Sequence, residues 1–133
     1  MATATNRAYV SITFMLLIVL IVGLGVWAYK YANESPYKIS AATAKKLIAA
    51  HKFDGILDVR TAIERETLGY YPGSIHVPAA DLDVMVLQLY PKKTENLLVY
   101  CNTGQRARRA TEKLHALGYK NAVYISGPHT SIM

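Results

Sequence analysis

The residues most able to do chemistry surround the only cysteine of this 133-residue chain. In the sequence LLVYCNTGQRARRA, an apolar run ends at Cys101, and Arg106 follows at the predicted start of a helix. One cysteine cannot form an intramolecular disulfide, so this thiol is either an inert core residue or a reactive one. Reactivity requires the thiolate, because a free thiol with a pKa of about 8.5 is mostly protonated at neutral pH.

The residues after Cys101 can stabilise a thiolate in three ways. The loop 102–105 can curl so that successive backbone N–H groups point inward and bind an anion, and Gly104 supplies the backbone freedom that this needs. The helix that follows directs its positive end at the same place. Arg106 adds a permanent positive charge. The sequence therefore predicts Cys101 as the catalytic residue, with a substrate-binding loop made of Asn102, Thr103, Gly104, Gln105 and Arg106.

Helices and short apolar strands alternate along the rest of the chain, which indicates an α/β fold. Ser40 is a candidate N-cap for a helix that reaches about Lys52. Strands are predicted for 55–59, 74–77, 97–100 and 122–125, and further helices for 81–90 and 105–117. This pattern is typical of a small, mostly parallel sheet with helices on both faces. Ligands bind beyond the carboxyl ends of the strands in such sheets, and Cys101 follows one of those ends.

Length and charge narrow the possible functions. A chain of this length suits one compact domain. The formal net charge of +6 comes from residues spread along the chain, which fits attraction of small anions or an anionic membrane surface. The sequence has no basic stripe interleaved with aromatic residues, so we expect no nucleic-acid partner. The four histidines show no ligand spacing, and we expect neither a metal nor an organic cofactor.

The segment 8–29 carries no charged residue. A helix of that length crosses a bilayer core of about 30 Å at about 1.5 Å per residue. Tyr9 at one end and Trp27 at the other fit aromatic rings at headgroup level. A cleaved signal peptide is the alternative, but the apolar run exceeds the roughly 7–15 residues of such a segment. The predicted organisation is a short tail at 1–7, a transmembrane helix at 8–29, a linker at 30–38 and one domain at 39–133.

The charges that flank this segment predict its orientation. Arg7 alone precedes the segment, whereas several lysines follow it closely: Lys30, Lys38, Lys45 and Lys46. The positive-inside rule then places the following domain in the cytoplasm. A thiol that has to stay reduced agrees with that compartment. We therefore expect a single-pass membrane protein whose C-terminal domain faces the cytoplasm.

Two motifs occur in a fixed order in the second part of the chain. One is the loop CNTGQRA, and the other is LDVRTAIERETLGYYPGSIHVP, upstream of it. Both resemble motifs of the rhodanese family of sulfurtransferases, whose active-site loop is Cys-x-x-Gly-x-Arg followed by a small residue. The residues that match the upstream hallmark in order are Asp58, Val59, Arg60, Glu64, Gly69, Pro72, Gly73, Ser74 and Pro78. The resemblance begins at about residue 38 and covers the rest of the sequence.

The resemblance implies a single rhodanese-like domain that transfers sulfur in two steps. The Cys101 thiolate attacks the outer sulfur of thiosulfate or a related sulfane donor, and sulfite leaves. The resulting Cys101 persulfide then passes its sulfur to cyanide, a small thiol or a protein thiol. The implied partners are a small anionic sulfur donor and a thiol acceptor, in addition to the membrane through residues 8–29.

Two other functions remain as alternatives. Residues 102–105 separate Cys101 from Arg106, whereas cysteine-dependent phosphatases, which include relatives of this fold, carry a loop one residue longer. The shorter loop has room for a persulfide sulfur but not comfortably for a phosphoryl group, so a phosphatase is disfavoured. The second alternative is a membrane-tethered rhodanese-like interaction module whose site is idle.

The other residues of the motifs are interpreted as structural. We expect an ion pair between Arg60 and Glu64, and we expect Arg106 to brace the loop or to meet substrate charge. Asp58, at the end of a strand, is expected to act on the site only weakly. Pro128 stands where the family often has a second glycine, and because proline fixes φ and lacks an N–H, the local turn must differ there.

Overall fold

The computed structural model of the protein describes residues 2–133, which divide into two compact units. The first unit reaches Tyr31, and the second is Ala32–Met133. The helices are α1 (Ala2–Asn33), α2 (Ala41–Ala49), α3 (Ala62–Leu68), α4 (Leu82–Leu89) and α5 (Gln105–Ala116). The strands are β1 (Gly55–Asp58), β2 (Ile75–His76), β3 (Leu97–Tyr100) and β4 (Val123–Tyr124). Short 3-10 helices lie at Ala79–Asp81 and His129–Ile132.

Helix α1 is largely apolar and is exposed from residue 3 to residue 27. It is the one helix among residues 2–133 that is long and apolar enough to cross a membrane, and its most apolar part is 0% buried within the protein. A helix that is apolar on every side is typical of a protein core or a membrane span. The length and composition of α1 fit a membrane span, and a signal sequence meets the same criteria.

The second unit contains a four-stranded sheet in the order β2-β1-β3-β4. Every pair of neighbouring strands is parallel. The register places Asp58 beside Tyr100, so the last residues of β1 and β3 lie side by side at the carboxyl edge of the sheet. The predicted α/β fold with a parallel sheet is confirmed.

The sheet is covered on both faces because its strands are apolar on both sides. Successive side chains of a strand point to opposite faces. Leu57 and Val99 pack in one core cluster with residues of α4 and α5, and Cys101 belongs to the same cluster. Leu98 and Tyr100 pack in the other cluster, with α2 and the end of the chain. The alternation therefore directs Cys101 towards α5.

Side-chain caps set the starts of α2 and α3. Ser40 caps α2 as predicted, since its Oγ accepts a hydrogen bond from the Thr43 N–H at 3.1 Å, but this helix ends at Ala49 rather than near Lys52. Helix α3 was not predicted. It begins after Thr61, whose side chain and that of Glu64 form a reciprocal capping box.

The residues between 32 and 39 pack within the second unit, ahead of α2. Ala32 is only 1% exposed. The Tyr37 ring stacks on His115 with 3.8 Å between ring centroids. The Ile39 N–H donates to the Tyr124 carbonyl at 2.9 Å, which extends the sheet by one short pairing beyond β4.

Candidate active site

Cys101 lies between the end of β3 and the start of α5, at the carboxyl edge of the sheet. The turn between these elements depends on Gly104, whose φ of +95° lies in the left-handed region that favours glycine. A Cβ at this position would lie 2.6 Å from the Ser126 Cα, far inside ordinary contact distance. The loop is therefore packed directly against the residues that follow β4.

The Cys101 sulfur accepts a main-chain hydrogen bond from its own loop. The Gly104 N–H donates to Sγ at 3.0 Å. An N–H that points at sulfur stabilises negative charge there, and the start of α5 adds the positive end of a twelve-residue helix. The Cys101 side chain is also fully buried, at 0% exposure. The thiol is thus both supported by the loop and enclosed by it.

The other predicted substrate-binding residues differ in exposure. Thr103 is exposed, Gly104 is buried, and the remaining three are half-buried: Asn102, Gln105 and Arg106. The structure brings all five together around the thiol in one turn of chain. Two of them, Asn102 and Arg106, already have charged partners within the protein.

The carboxylate of Glu64 holds both ends of the Cys101 loop. Its two oxygens accept hydrogen bonds from the two terminal nitrogens of Arg106, each at 2.7 Å. Its Oε1 also accepts from the Asn102 Nδ2 at 3.0 Å. The Arg106 guanidinium lowers the pKa of Glu64 to about 2, and the Glu64 carboxylate in turn raises the pKa of Arg106. We call this arrangement, made of Glu64, Asn102 and Arg106, the loop clamp.

Helix α3 positions the loop clamp. Both the backbone N–H and the Oγ1 of Thr61 donate to the Glu64 Oε2 at 2.9 Å, which fixes the carboxylate at the start of the helix. A negative charge in the first turn also suits the helix dipole. The expected ion pair between Arg60 and Glu64 is wrong, because Glu64 pairs with Arg106 and Arg60 pairs with Asp58.

A second group of charges lies at the end of β1, where Asp58 and Arg60 are fully buried and the Arg65 side chain is 15% exposed. The Arg60 guanidinium donates two hydrogen bonds to the Asp58 carboxylate, of 2.8 and 2.7 Å. Arg65 and the Tyr100 hydroxyl also donate to the Asp58 Oδ2, at 3.1 and 3.0 Å. Burial raises the pKa of Asp58, but the hydrogen bonds and charge of Arg60 outweigh it and hold the pKa below its usual value. We call this group, made of Asp58, Arg60, Arg65 and Tyr100, the buried arginine cluster.

Asn102 connects the buried arginine cluster to the loop clamp. Its Oδ1 accepts from the Arg60 Nη1 at 3.3 Å, while its Nδ2 donates to Glu64. An amide that accepts at one end and donates at the other has a defined orientation. The residue next to the thiol is therefore held by a continuous network that begins in the sheet.

These contacts join the two sequence motifs in space. Comparison with known proteins also places both motifs in one domain. A family model described as a rhodanese-like domain matches residues 40–127. The chain belongs to the rhodanese family. Glu64 comes from the upstream motif and Arg106 from the cysteine loop, 42 residues later, so the loop clamp is one of the contacts that join the two motifs; the hydrogen bond from Arg60 to Asn102 is another.

One curated relative is a mouse thiosulfate sulfurtransferase/rhodanese-like domain-containing protein 3. It is 28% identical over an alignment of 83 residues, and the match covers 54% of this chain and 53% of the mouse protein. The chain thus spans about half the length of the relative that it matches. Sequence likeness at this level agrees with the family assignment.

Solved structures of similar fold include two from different sources. A human single-domain sulfurtransferase is 25% identical, has a TM-score of 0.61 and is aligned over 73% of this chain and 95% of its own. A protein from Rhodopseudomonas palustris named as a possible tyrosine phosphatase has a TM-score of 0.67 at 23% identity and is aligned over 79% of this chain and 85% of its own. The second likeness concerns the fold alone.

Sequence reasoning missed several residues of the network. Arg65 and Tyr100 carry no local signal, since their partner Asp58 is brought to them by the sheet and by α3. His129 was also missed: it is 8% exposed, and its buried Nδ1 has no hydrogen-bond partner among residues 2–133. Burial, followed by the charge of Arg60, lowers the pKa of His129. No group of three or more possible metal ligands occurs in the described part of the chain.

Proposed function

We propose that the protein is a sulfurtransferase that carries sulfane sulfur on Cys101. The observation that carries this proposal is the hydrogen bond of 3.0 Å from the Gly104 N–H to the Cys101 Sγ, at the junction of β3 and α5. The same donor and the positive helix end stabilise negative charge on a thiolate and on a persulfide. Membership of the rhodanese family supports the same chemistry.

The proposed reaction has two steps that pass one sulfur atom. The Cys101 thiolate attacks the outer sulfur of thiosulfate or a similar donor, the donor's sulfur–sulfur bond breaks, and sulfite leaves with the electron pair. A thiolate acceptor or cyanide then attacks the outer sulfur of the Cys101 persulfide and regenerates the thiolate. Division of one transfer into two easier ones is the general logic of covalent catalysis.

The loop residues have distinct proposed roles in this reaction. Gly104 stabilises charge on sulfur through its N–H. Thr103 and Gln105 lie on either side of Gly104 in the loop and are exposed and half-buried, so they are assigned to contact with the substrate. Arg106 attracts the anionic donor, and Asn102 keeps the first turn of the loop in place.

The direct test is to incubate the full chain with thiosulfate and to measure its intact mass. We expect one added sulfur atom on the wild type and none on Cys101→Ser. Thiocyanate formation from thiosulfate and cyanide should depend on Cys101 in the same way. Equal sulfur uptake by both proteins, or none by the wild type, would contradict the proposal.

The full burial of Cys101 favours a second candidate function, an interaction module with an idle site. A thiol at 0% exposure within a core cluster must be uncovered before a donor can reach it. In an idle module, the wild type takes up no sulfur and cellular function survives Cys101→Ser. In a sulfurtransferase, the wild type takes up sulfur and Cys101→Ser abolishes the cellular function. Hydrolysis of phosphate esters, the remaining alternative, should be undetectable.

We also propose that α1 is an uncleaved membrane anchor with the rhodanese-like domain on its cytoplasmic side. The exposed apolar length of α1 and the excess of lysines that follow it support this assignment. Cell fractionation should recover the full-length mass in membranes after alkaline extraction, and protease added to intact cells should leave the domain uncut. A shortened mass that begins after residue 28 would instead identify a signal peptide.

A further inference from the structure

A groove lies at the amino edge of the sheet, at the opposite end of the strands from Cys101. Its volume is about 460 Å³, which falls in the range of sites that bind small molecules. Phe53, Asn96 and Asn121 line it, and they shortly precede β1, β3 and β4, respectively. Because a strand advances about 3.3 Å per residue, the four residues of β3 separate this groove from the Cys101 loop by about 13 Å. We call it the amino-edge groove.

Much of the lining of the amino-edge groove is apolar and still in contact with water. Four half-buried side chains contribute to it, namely Ile39, Leu47, Phe53 and Val123. Apolar surface that a ligand removes from water contributes about 25 cal/mol per Å² to binding before the costs of association. The groove therefore favours a ligand with an apolar body.

The charged side chains that line the amino-edge groove are both cationic. They belong to Lys52 and Lys120, which are exposed, and neither lysine forms an ion pair within residues 2–133. The rest of the polar lining consists of the neutral amides of Asn96 and Asn121. Two ammonium groups beside an apolar surface attract a ligand that carries negative charge at one end.

The acidic residues that are closest in sequence to the groove, Asp54 and Glu95, interact with a residue outside it. The Asp54 Oδ2 accepts a backbone N–H from the loop before β3 at 2.7 Å. Burial, and then the charges of Glu95 and Asp54, raise the pKa of Tyr90, so both carboxylates lie near that ring. Tyr90 is buried and does not line the groove. The negative charge at this edge of the sheet is therefore grouped around Tyr90, and the two lysines keep the groove positive.

We propose that the amino-edge groove binds a small organic anion that has an apolar body and one carboxylate, such as an aryl alkanoate. The body covers the apolar lining, and the carboxylate pairs with Lys52 and Lys120. A lysine ammonium is a compact charge on a flexible stem, so it pairs with a carboxylate without requiring one planar orientation. The site uses no residue of the Cys101 loop, and the proposal is independent of sulfur transfer.

The test compares two probes of similar size, para-fluorophenylpropionate and the neutral para-fluorophenylpropanol. The full chain is placed in phosphatidylcholine nanodiscs, binding is followed by fluorine NMR, and empty nanodiscs give the contribution of the lipid. The wild type should bind the propionate saturably and the alcohol about fivefold more weakly. The double variant Lys52→Gln with Lys120→Gln should raise the Kd of the propionate about fivefold, the size expected for two exposed charge contacts, and leave that of the alcohol unchanged.

A matched double variant controls for total charge. Lys45→Gln with Lys92→Gln removes the same charge from exposed lysines that do not line the groove, and it should leave the Kd of the propionate unchanged. Amide shifts locate the probe: the resonance of Val123 should move on titration, and that of Thr103 in the Cys101 loop should not. The proposal is overturned by absence of saturable binding, by equal affinity for the two probes, by equal losses in the two double variants, or by shifts confined to the Cys101 loop.

The variant Cys101→Ser separates this proposal from the proposed function. It should take up no sulfur from thiosulfate, yet it should bind the propionate as tightly as the wild type does. A wild type that binds the probe but takes up no sulfur contradicts the proposed function alone, and the reverse result contradicts only the groove. If an acidic peptide with an aromatic side chain shifts Val123 and the propionate does not, the groove belongs to a protein partner, and the proposal of a small ligand is overturned.

Discussion

Asp58 and Glu64 each pair with an arginine near Cys101, but their surroundings are opposite. The side chains of Asp58 and Arg60 are both 0% exposed, whereas those of Glu64 and Arg106 are 27% and 36% exposed. A buried charge that loses its partner stays uncompensated, while a half-exposed charge can turn to water. The Asp58–Arg60 pair therefore stabilises the fold. The Glu64–Arg106 pair instead holds the conformation of the Cys101 loop.

The largest expected effect is that of Asp58→Asn on stability. The substitution leaves two arginines of the buried arginine cluster without their carboxylate, and the cost should be about 3–5 kcal/mol of unfolding free energy. Urea unfolding of the full chain in detergent, followed by circular dichroism, measures it. The control is Asp83→Asn, whose partner Lys113 is exposed, and it should leave the free energy of unfolding close to that of the wild type. Equal losses of unfolding free energy in the two variants would show that burial does not set how much each carboxylate contributes to stability.

Gly104→Ala should have the next largest effect and should act on the loop without touching either ion pair. The new Cβ meets both an unfavourable φ and the Ser126 backbone, so stability should fall by about 1–3 kcal/mol. Sulfur uptake from thiosulfate should fall with it, because the Gly104 N–H moves away from Sγ. Gly73→Ala is the matched control: its φ of +87° imposes similar strain, but the space around it is open. Its sulfur uptake should stay at the wild-type level.

Glu64→Gln should damage the site more than the fold. An amide of the same shape cannot bind Arg106 as an ion pair, so we expect a loss of about 1–2 kcal/mol in stability. Persulfide formation should slow several-fold as Asn102 and Arg106 lose their common partner. Glu66→Gln, an exposed residue of the same helix, should change neither quantity. If Glu64→Gln proved as destabilising as Asp58→Asn, the distinction between the two pairs would be lost.

The smallest expected effect is the acid response of the loop clamp. Glu64 has a pKa of about 2 in the folded chain and an ordinary value of 4.5, so its contribution to stability is complete above about pH 4.5. As the pH falls from 4.5 towards 2, the unfolded chain takes up the proton first, and the contribution is lost. The stability difference between wild type and Glu64→Gln should therefore shrink over this range. A constant difference would mean that Glu64 is not charged in its pair.

The fold and the place of Cys101 could be predicted because they depend on short-range patterns. The apolar runs of β1 and β3 and the cap at Ser40 are local signals that tertiary contacts did not override. Helix α3 was missed because it is short and buries no residue, although Thr61 and Glu64 have the spacing of a capping box. That spacing was present in the sequence and was the available signal.

The ion pairs could not be predicted, since the choice of partner depends on the assembled sheet. Glu64 lies close to Arg60 in sequence, yet it binds Arg106, 42 residues away, because α3 turns its first turn towards the loop. The burial of Cys101 was also beyond sequence reasoning, because the enclosure depends on how closely the chain after β4 approaches Gly104. The sequence pattern therefore predicts where Cys101 lies but not which residues enclose it.

The enclosure of Cys101 also bears on the lifetime of a modified sulfur. Dissolved oxidants convert exposed thiolates to sulfenic acid and beyond, and this damage follows accessibility. At 0% exposure, the Cys101 sulfur is shielded from such reagents. Under the proposed function, a sulfur atom carried on Cys101 would wait for another molecule to take it, since the chain has no second cysteine whose thiol could displace it.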